Sequence, residues 1–164
     1  MFQGKKIIQI VARGLKGEIG ANNKLLWSIP EDLQFFKEST LGHVVLMGRN
    51  TVESLPKPLH RRICMCISSR HSEKYPTWML PDGLIDGENY SEVLNTDKIF
   101  IAGGSKLYNS TFHIVDELWV TQVEKEYPEA DTFYHIPSRF KLVDEVYGDH
   151  CKDVGYSFQK WVKV

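Results

Sequence analysis

Apolar residues fall in short blocks along this chain, some as unbroken runs and some at helical spacing. Lys6 to Arg13 carries Ile7, Ile8, Ile10, Val11 and Ala12, too continuously apolar for a strand with one wet face, and predicts a central strand. Val44-Val45-Leu46-Met47-Gly48 and Lys98 to Ala102 read as further buried strands, Arg62 to Ser68 and Glu117 to Val123 as strands, and Thr77 to Leu80 as a short one. Pro30 suits the first position of a helix running to about Thr40, because its ring fixes a helical φ and its missing N–H has no partner there. Arg49 to Ser54 predicts a short helix stopped by Pro56 and Pro58, Ser91 to Leu94 another, and Ser105 to Phe112 a further one. Gly14 to Ser28 is longer than a turn requires and holds Gly14, Gly17, Gly20, Asn22 and Asn23, so it reads as a mobile or functional loop.

Strand and helix alternate over the first two thirds, which implies parallel crossovers. The last stretch changes character: Thr132-Phe133-Tyr134, Lys141 to Tyr147 and Gly155 to Val164 read as strands without helices between them, and predict an antiparallel edge. The fold class expected is α/β: a single-domain mixed, mostly parallel sheet of about eight strands with helices on both faces and an antiparallel C-terminal edge. A length of 164 residues suits one such domain, with residues 1–164 as its span and the C-terminus built into the sheet.

Composition narrows the function. A net charge of −1 gives no general attraction to nucleic acid or to an anionic membrane, so any anion binding is local. No apolar run approaches the roughly 18 residues of a spanning helix, and Met1 to Ile7 lacks a signal-peptide core, so a cytoplasmic protein is expected. Cys64 and Cys66 alternate in a strand and point to one face like small hydrophobes, while Cys151 stands alone. With no C-x-x-C pair and the histidines scattered, neither a metal site nor thiol-redox chemistry has a sequence basis.

The most informative residue is Asp32. It falls in the first turn of the Pro30 helix, with Phe36 at i+4 and Leu33 continuing the apolar stripe, so an ionisable group looks along hydrophobic walls as Trp27 arrives from the preceding loop. Acids are also common in first turns because they complement the helix dipole, as Glu31 does, and spacing alone leaves both readings of Asp32 open. Three further places offer N–H-rich or positive surfaces at the carboxyl ends of strands, where open α/β sheets bind ligands. Gly48-Arg49-Asn50-Thr51 joins a strand to a helix, Ser68-Ser69-Arg70 supplies hydroxyls and a guanidinium, and Ala102-Gly103-Gly104-Ser105-Lys106 allows close approach of a pyrophosphate. Neither a G-x-G-x-x-G fingerprint nor a P-loop is present, so a dinucleotide must bind in another geometry. Arg61-Arg62 adds a fourth cationic feature, which spacing alone leaves open as a clamp for a carboxylate or a solvated turn.

Taken together, these segments resemble the dihydrofolate reductase family over essentially the whole chain. The resemblance is carried by Ile10-Val11-Ala12, Ile19-Gly20, Leu26-Trp27-Ser28-Ile29-Pro30-Glu31-Asp32-Leu33, Met47-Gly48-Arg49-Asn50-Thr51-Val52-Glu53-Ser54, Gly103-Gly104-Ser105 with Tyr108, and Leu118-Trp119-Val120-Thr121. It implies NADPH-dependent reduction of 7,8-dihydrofolate to tetrahydrofolate, within one-carbon metabolism, with dihydrofolate and antifolate inhibitors as partners of a monomer. Asp32, Trp27 and Thr121 are the implied catalytic set: Asp32 binds the pterin amidine, Thr121 bonds Asp32, and Trp27 reaches the pocket through water. Val11, Leu33, Phe36, Leu55 and Leu59 line the substrate, and Arg62 holds the glutamate α-carboxylate, leaving Arg61 peripheral.

On the cofactor side the resemblance implies Ala12, Ile19 and Gly20 at the nicotinamide. It places Gly48, Arg49, Asn50, Thr51, Ser68, Ser69, Arg70, Ala102, Gly103, Gly104, Ser105, Lys106, Leu107 and Tyr108 along the rest, with Arg49, Ser69 and Arg70 around a 2′-phosphate. A cis Gly103–Gly104 peptide is a family trait. Departures from the family pattern are Leu26 where proline precedes tryptophan, Val52 in place of an aromatic, and Ala102 in place of a larger aliphatic. A pyrimidine reductase of riboflavin synthesis shares the fold and cofactor, but its substrate needs neither Asp32 nor Arg62.

Overall fold

β1 (Lys6–Arg13) runs through the middle of an eight-stranded sheet of order β5-β4-β3-β6-β1-β7-β10-β9 and pairs in parallel with β6 on one side and β7 on the other. The computed structural model describes residues 4–21, 26–54, 59, 61–67, 78–79, 97–148 and 154–164. Its other strands are β2 (Glu18–Gly20), β3 (Val44–Gly48), β4 (Ile63–Ile67), β5 (Trp78–Met79), β6 (Lys98–Ile101), β7 (Glu117–Val123), β8 (Thr132–Phe133), β9 (Phe140–Tyr147) and β10 (Tyr156–Lys163). The helices are α1 (Pro30–Thr40), α2 (Arg49–Ser54) and α3 (Ser105–Thr111). The expected helix at Ser91 to Leu94 lies outside the described residues, as do Leu55, Ser68, Ser69, Arg70 and Cys151.

Alternation along β1 explains the layers. Ile8 and Ile10 point to one side and join Val45, Met47, Val52 and Phe100 in a core against which Phe35 and Phe36 of α1 pack. Ile7 and Val11 point to the other side and join Leu107, Tyr108 and Phe112 of α3, together with Tyr134 and Phe140. Helices therefore cover both faces, as the continuous apolar run of β1 demands. Val52, a departure from the family pattern, is 6% exposed in the first of these cores.

Two expectations need correction. Thr132–Phe133 does not join the C-terminal edge: it pairs in a separate two-stranded sheet with Glu18–Gly20, which lies within the long connection from Gly14 to Ser28. Two three-residue-scale strands bounded by glycine and proline carry too little periodicity to reveal their partner. At the opposite edge β5 is antiparallel to β4, so crossovers are not uniformly parallel in the first two thirds. The C-terminal hairpin itself is as expected, with β10 antiparallel to both β7 and β9.

The loop after β1 is held down by backbone and by one carboxylate. Glu18, 2% exposed, accepts hydrogen bonds from the N–H groups of Lys16 and Tyr127, at 2.5 Å each. Burial alone would raise its pKa, but the backbone donors outweigh it and hold the carboxyl below its ordinary range. Tyr134 N–H also donates to Gly17 O at 2.7 Å, and Asp131 N–H to Gly20 O at 2.9 Å, so residues 14–20 ride on the segment after β7.

Candidate active site

The carboxyl end of the sheet opens where β6 stops. β6 leaves its ladder with β1 at the pair Gln9 and Ile101, while β1 continues beside β7 as far as Arg13. The chain from β6 then turns through Ala102, Gly103 and Gly104 toward β3: Ala102 N–H donates to Leu46 O at 2.9 Å and Gly48 N–H to Gly103 O at 2.7 Å. A crevice flanked by β1 and β3 results, the usual ligand position in an open α/β sheet.

Asp32 reaches this face from the first turn of α1. Thr121 on β7 donates its hydroxyl to Asp32 Oδ1 at 2.7 Å, and Thr121 lies in register with Ala12 on β1 and Phe158 on β10. Glu31, its neighbour, is exposed, as a dipole-complementing acid should be. Burial pushes the Asp32 carboxyl pKa up, and the Thr121 hydroxyl partly opposes that shift by stabilising the charged form. Replacing Thr121 by valine removes this opposition, so the Asp32 pKa moves further up. The acid limb of the kcat/KM profile should follow it upward, with a roughly 3- to 10-fold loss at neutral pH. An unshifted limb in a pH–rate series on Thr121→Val would assign the titration to another group.

Along the same stripe of α1 lie Phe36 and Thr40. The Arg62 guanidinium stands 6.0 Å from the centroid of the Phe36 ring, and its Nη1 donates to Thr40 Oγ1 at 3.3 Å. Arg62 is 6% exposed, and burial lowers its pKa from the ordinary value without discharging it. A carboxylate thus stands at one end of an apolar helical stripe and a desolvated guanidinium at the other, ~12 Å apart along the axis at 1.5 Å per residue. Leu59 packs against the same core as Phe36. Leu33 is 56% exposed.

Other expected residues fall elsewhere. The Val11 side chain enters the core on the face opposite Asp32, so only its backbone borders the crevice side of β1. Leu107 likewise packs into that opposite core, while Asn50 and Lys106 are exposed. Trp27 stacks obliquely on Tyr127 with ring centroids 5.2 Å apart, in a cluster with Ile29 and Leu26. Arg49 pairs through Nε with Glu53 at 3.5 Å on the outer side of α2.

The glycine pair suits a close ligand. Gly103 and Gly104 are joined by a cis peptide, and Gly103 holds a φ of +119°, a region L side chains rarely enter. A Cβ there would lie 3.3 Å from Thr51 Oγ1 and 3.5 Å from Tyr108 Oη. The side chains of Thr51 and Tyr108 therefore close over the side of Gly103 where a Cβ would stand, just before α3 begins. Tyr108 in turn donates its phenol to Ile10 O at 2.7 Å, at the level where β6 has ended. Residues that sequence reasoning did not single out appear here: Gln9, wholly buried, and its partner Tyr134. One amide in the otherwise apolar run from Ile7 to Ala12 was the available signal.

Fold and crevice together define an α/β protein whose mostly parallel sheet opens at its carboxyl edge, with the half-buried carboxylate of Asp32 on that face. A family model described as dihydrofolate reductase matches residues 6–163. The chain belongs to the dihydrofolate reductase family. It is 33% identical over 129 residues to a dihydrofolate reductase of Haemophilus influenzae, covering 76% of each chain. Identity is 31% over 145 residues to that of Bacillus subtilis, covering 86% of this chain and 83% of that one. It is also 31% over 165 residues to the type 9 enzyme of Escherichia coli, with 93% and 90% covered. Among solved structures, dihydrofolate reductase from Enterococcus faecalis complexed with NADP(H) and RAB-propyl superposes with a TM-score of 0.79 at 26% identity, covering 99% of this chain and 98% of that one.

Proposed function

We infer that the chain catalyses reduction of 7,8-dihydrofolate to 5,6,7,8-tetrahydrofolate, with NADPH as the reductant and a proton taken up at N5. The observation that carries the assignment of roles is the α1 stripe. Asp32 meets the amidine of a pterin, Phe36 packs along the aminobenzoyl ring, and Arg62 meets a terminal carboxylate bidentately. A molecule with a cationic or donor-rich flat end, an apolar middle and an anionic end suits that order of groups.

The residues present fit a dinucleotide. Gly48, Gly103 and Gly104 carry no side chain to narrow the crevice, and the hydroxyls of Thr51 and Tyr108 lie beside Gly103. Arg49, at the start of α2, supplies a cation for the 2′-phosphate. When bound, NADPH supplies a hydride from C4 of its nicotinamide ring. Asp32, kept in a desolvated site, favours the cationic, N5-protonated pterin, and water carries the proton to N5. Trp27 and the loop from Gly14 close the site from bulk water and gate release. The enzyme works as a monomer and binds antifolates through the same Asp32 carboxylate.

Arg49→Ala should raise the KM for NADPH roughly 10-fold or more and leave that for NADH almost unchanged, because only NADPH carries the 2′-phosphate. Equal losses with both cofactors, measured from initial rates, would count against the role of Arg49. Among the described residues, no helix is long and apolar enough to cross a membrane.

A further inference from the structure

Gln9 is 0% exposed in the central strand, and each of its side-chain atoms that can bond is used. Nε2 donates to Tyr108 O at 2.8 Å and to Thr111 Oγ1 at 2.9 Å, both in α3, and Oε1 accepts the phenol of Tyr134 at 2.7 Å. The rings of Tyr108 and Tyr134 meet edge to face, with centroids 4.9 Å apart. A buried polar network of this kind fixes one arrangement, because any slip leaves a desolvated donor or acceptor unpaired.

What the network fixes is the position of the Tyr108 phenol. Tyr108 Oη bonds Ile10 O and stands 3.5 Å from where a Gly103 Cβ would be. α3 has only seven residues and no side-chain cap, so its own backbone holds its register weakly. Gln9 grips the helix at the carbonyl of the very residue whose side chain reaches the glycine turn. An apolar residue of the same size at position 9 would fill the space but remove two of the hydrogen bonds that tie α3 to β1, leaving Tyr108 Oη to Ile10 O as the remaining side-chain bond described between them.

We propose that Gln9, with Tyr134, is a positioning residue for the cofactor: it locks α3 on β1 so that the Tyr108 phenol holds the place beside Gly103 that NADPH binding requires. The proposal rests on the assignment of the glycine turn and of Tyr108 to the cofactor. It concerns binding at the crevice, as distinct from stability alone, and so separates the two ligands of the enzyme.

The test uses Gln9→Met, which keeps the length and volume of the side chain, with Tyr108→Phe and the double variant. Dissociation constants for NADPH are read by quenching of protein fluorescence, beside KM for dihydrofolate and Tm. Gln9→Met should weaken NADPH roughly 5- to 10-fold and leave KM for dihydrofolate within about twofold. In the Tyr108→Phe background it should add little to the NADPH loss, since both act through the same phenol, while Tm still falls. A fall in Tm with NADPH affinity unchanged in Gln9→Met, where Tyr108→Phe does weaken NADPH, overturns the inference and leaves the site assignment standing. Full additivity of the two losses also overturns it. Unchanged NADPH affinity in Tyr108→Phe itself overturns the assignment of Tyr108, and the inference with it.

Discussion

Asp32→Asn lowers kcat/KM for dihydrofolate by roughly 100- to 1000-fold at neutral pH, and the remaining activity rises steadily as pH falls. Asparagine keeps the shape and can still accept from the Thr121 hydroxyl, so the loss isolates the charge. Without that charge the proposed site loses the carboxylate that favours the protonated pterin, and turnover should depend on substrate already protonated in solution. The same substitution should raise Tm at neutral pH. Burial lifts the folded-state pKa of Asp32 above its unfolded value, so the favourable contribution of the protonated group to folding is fully present below its unfolded pKa. Its contribution is lost as pH rises through the folded value, leaving a buried charge that costs stability at neutral pH. The gain in Asp32→Asn should therefore shrink toward acid, which thermal melts across pH can follow. Undiminished turnover at neutral pH would remove Asp32 from the reaction.

The second large effect belongs to Arg62. Arg62→Leu should raise KM for dihydrofolate roughly 30- to 1000-fold, the range for losing one partner of a desolvated charge pair, and change KM for NADPH by no more than about twofold. Thr40, which accepts from Arg62, also donates its hydroxyl to Phe36 O at 2.7 Å, so it is not stranded by the change. Initial rates with each substrate varied in turn decide the matter. A parallel rise for NADPH would point to a general disturbance of the sheet edge.

Much of this arrangement could be read from residues in order, because each element carried its own local signal. The unbroken apolar run of β1 announced a strand covered on both faces, and Pro30 followed by Glu31 and Asp32 fixed the start of α1 to the residue. Spacing singled out Asp32, but its pairing with Thr121 was legible only through resemblance, since 89 positions separate them and no local rule joins a helix turn to a strand. The small sheet of β2 and β8 was not legible: two or three residues give no period, and their pairing depends on where β7 delivers the chain. Gln9 was visible as the odd polar residue in its strand, but its partners on α3 and at Tyr134 lie about 100 positions away or more and appear only in three dimensions. Val11 and Leu107 show the opposite limit. A motif places a residue next to a ligand in sequence, while side-chain alternation in a strand, or the inward face of a helix, decides whether the side chain ever meets it.

In the proposed roles Asp32 on α1 reads the pterin, and Arg62, packed against Phe36 and Thr40 of the same helix, reads the glutamate. The most direct test of these roles compares dihydrofolate with a 6-methyl-7,8-dihydropterin that lacks the aminobenzoylglutamate tail, in the wild-type chain and in Arg62→Leu. The tail should improve kcat/KM by at least about 100-fold in the wild type, and most of that advantage should vanish in Arg62→Leu while the truncated pterin is turned over equally by both. If Arg62→Leu keeps the full advantage of the tail, the carboxylate is read elsewhere and the α1 stripe is not the substrate's ruler.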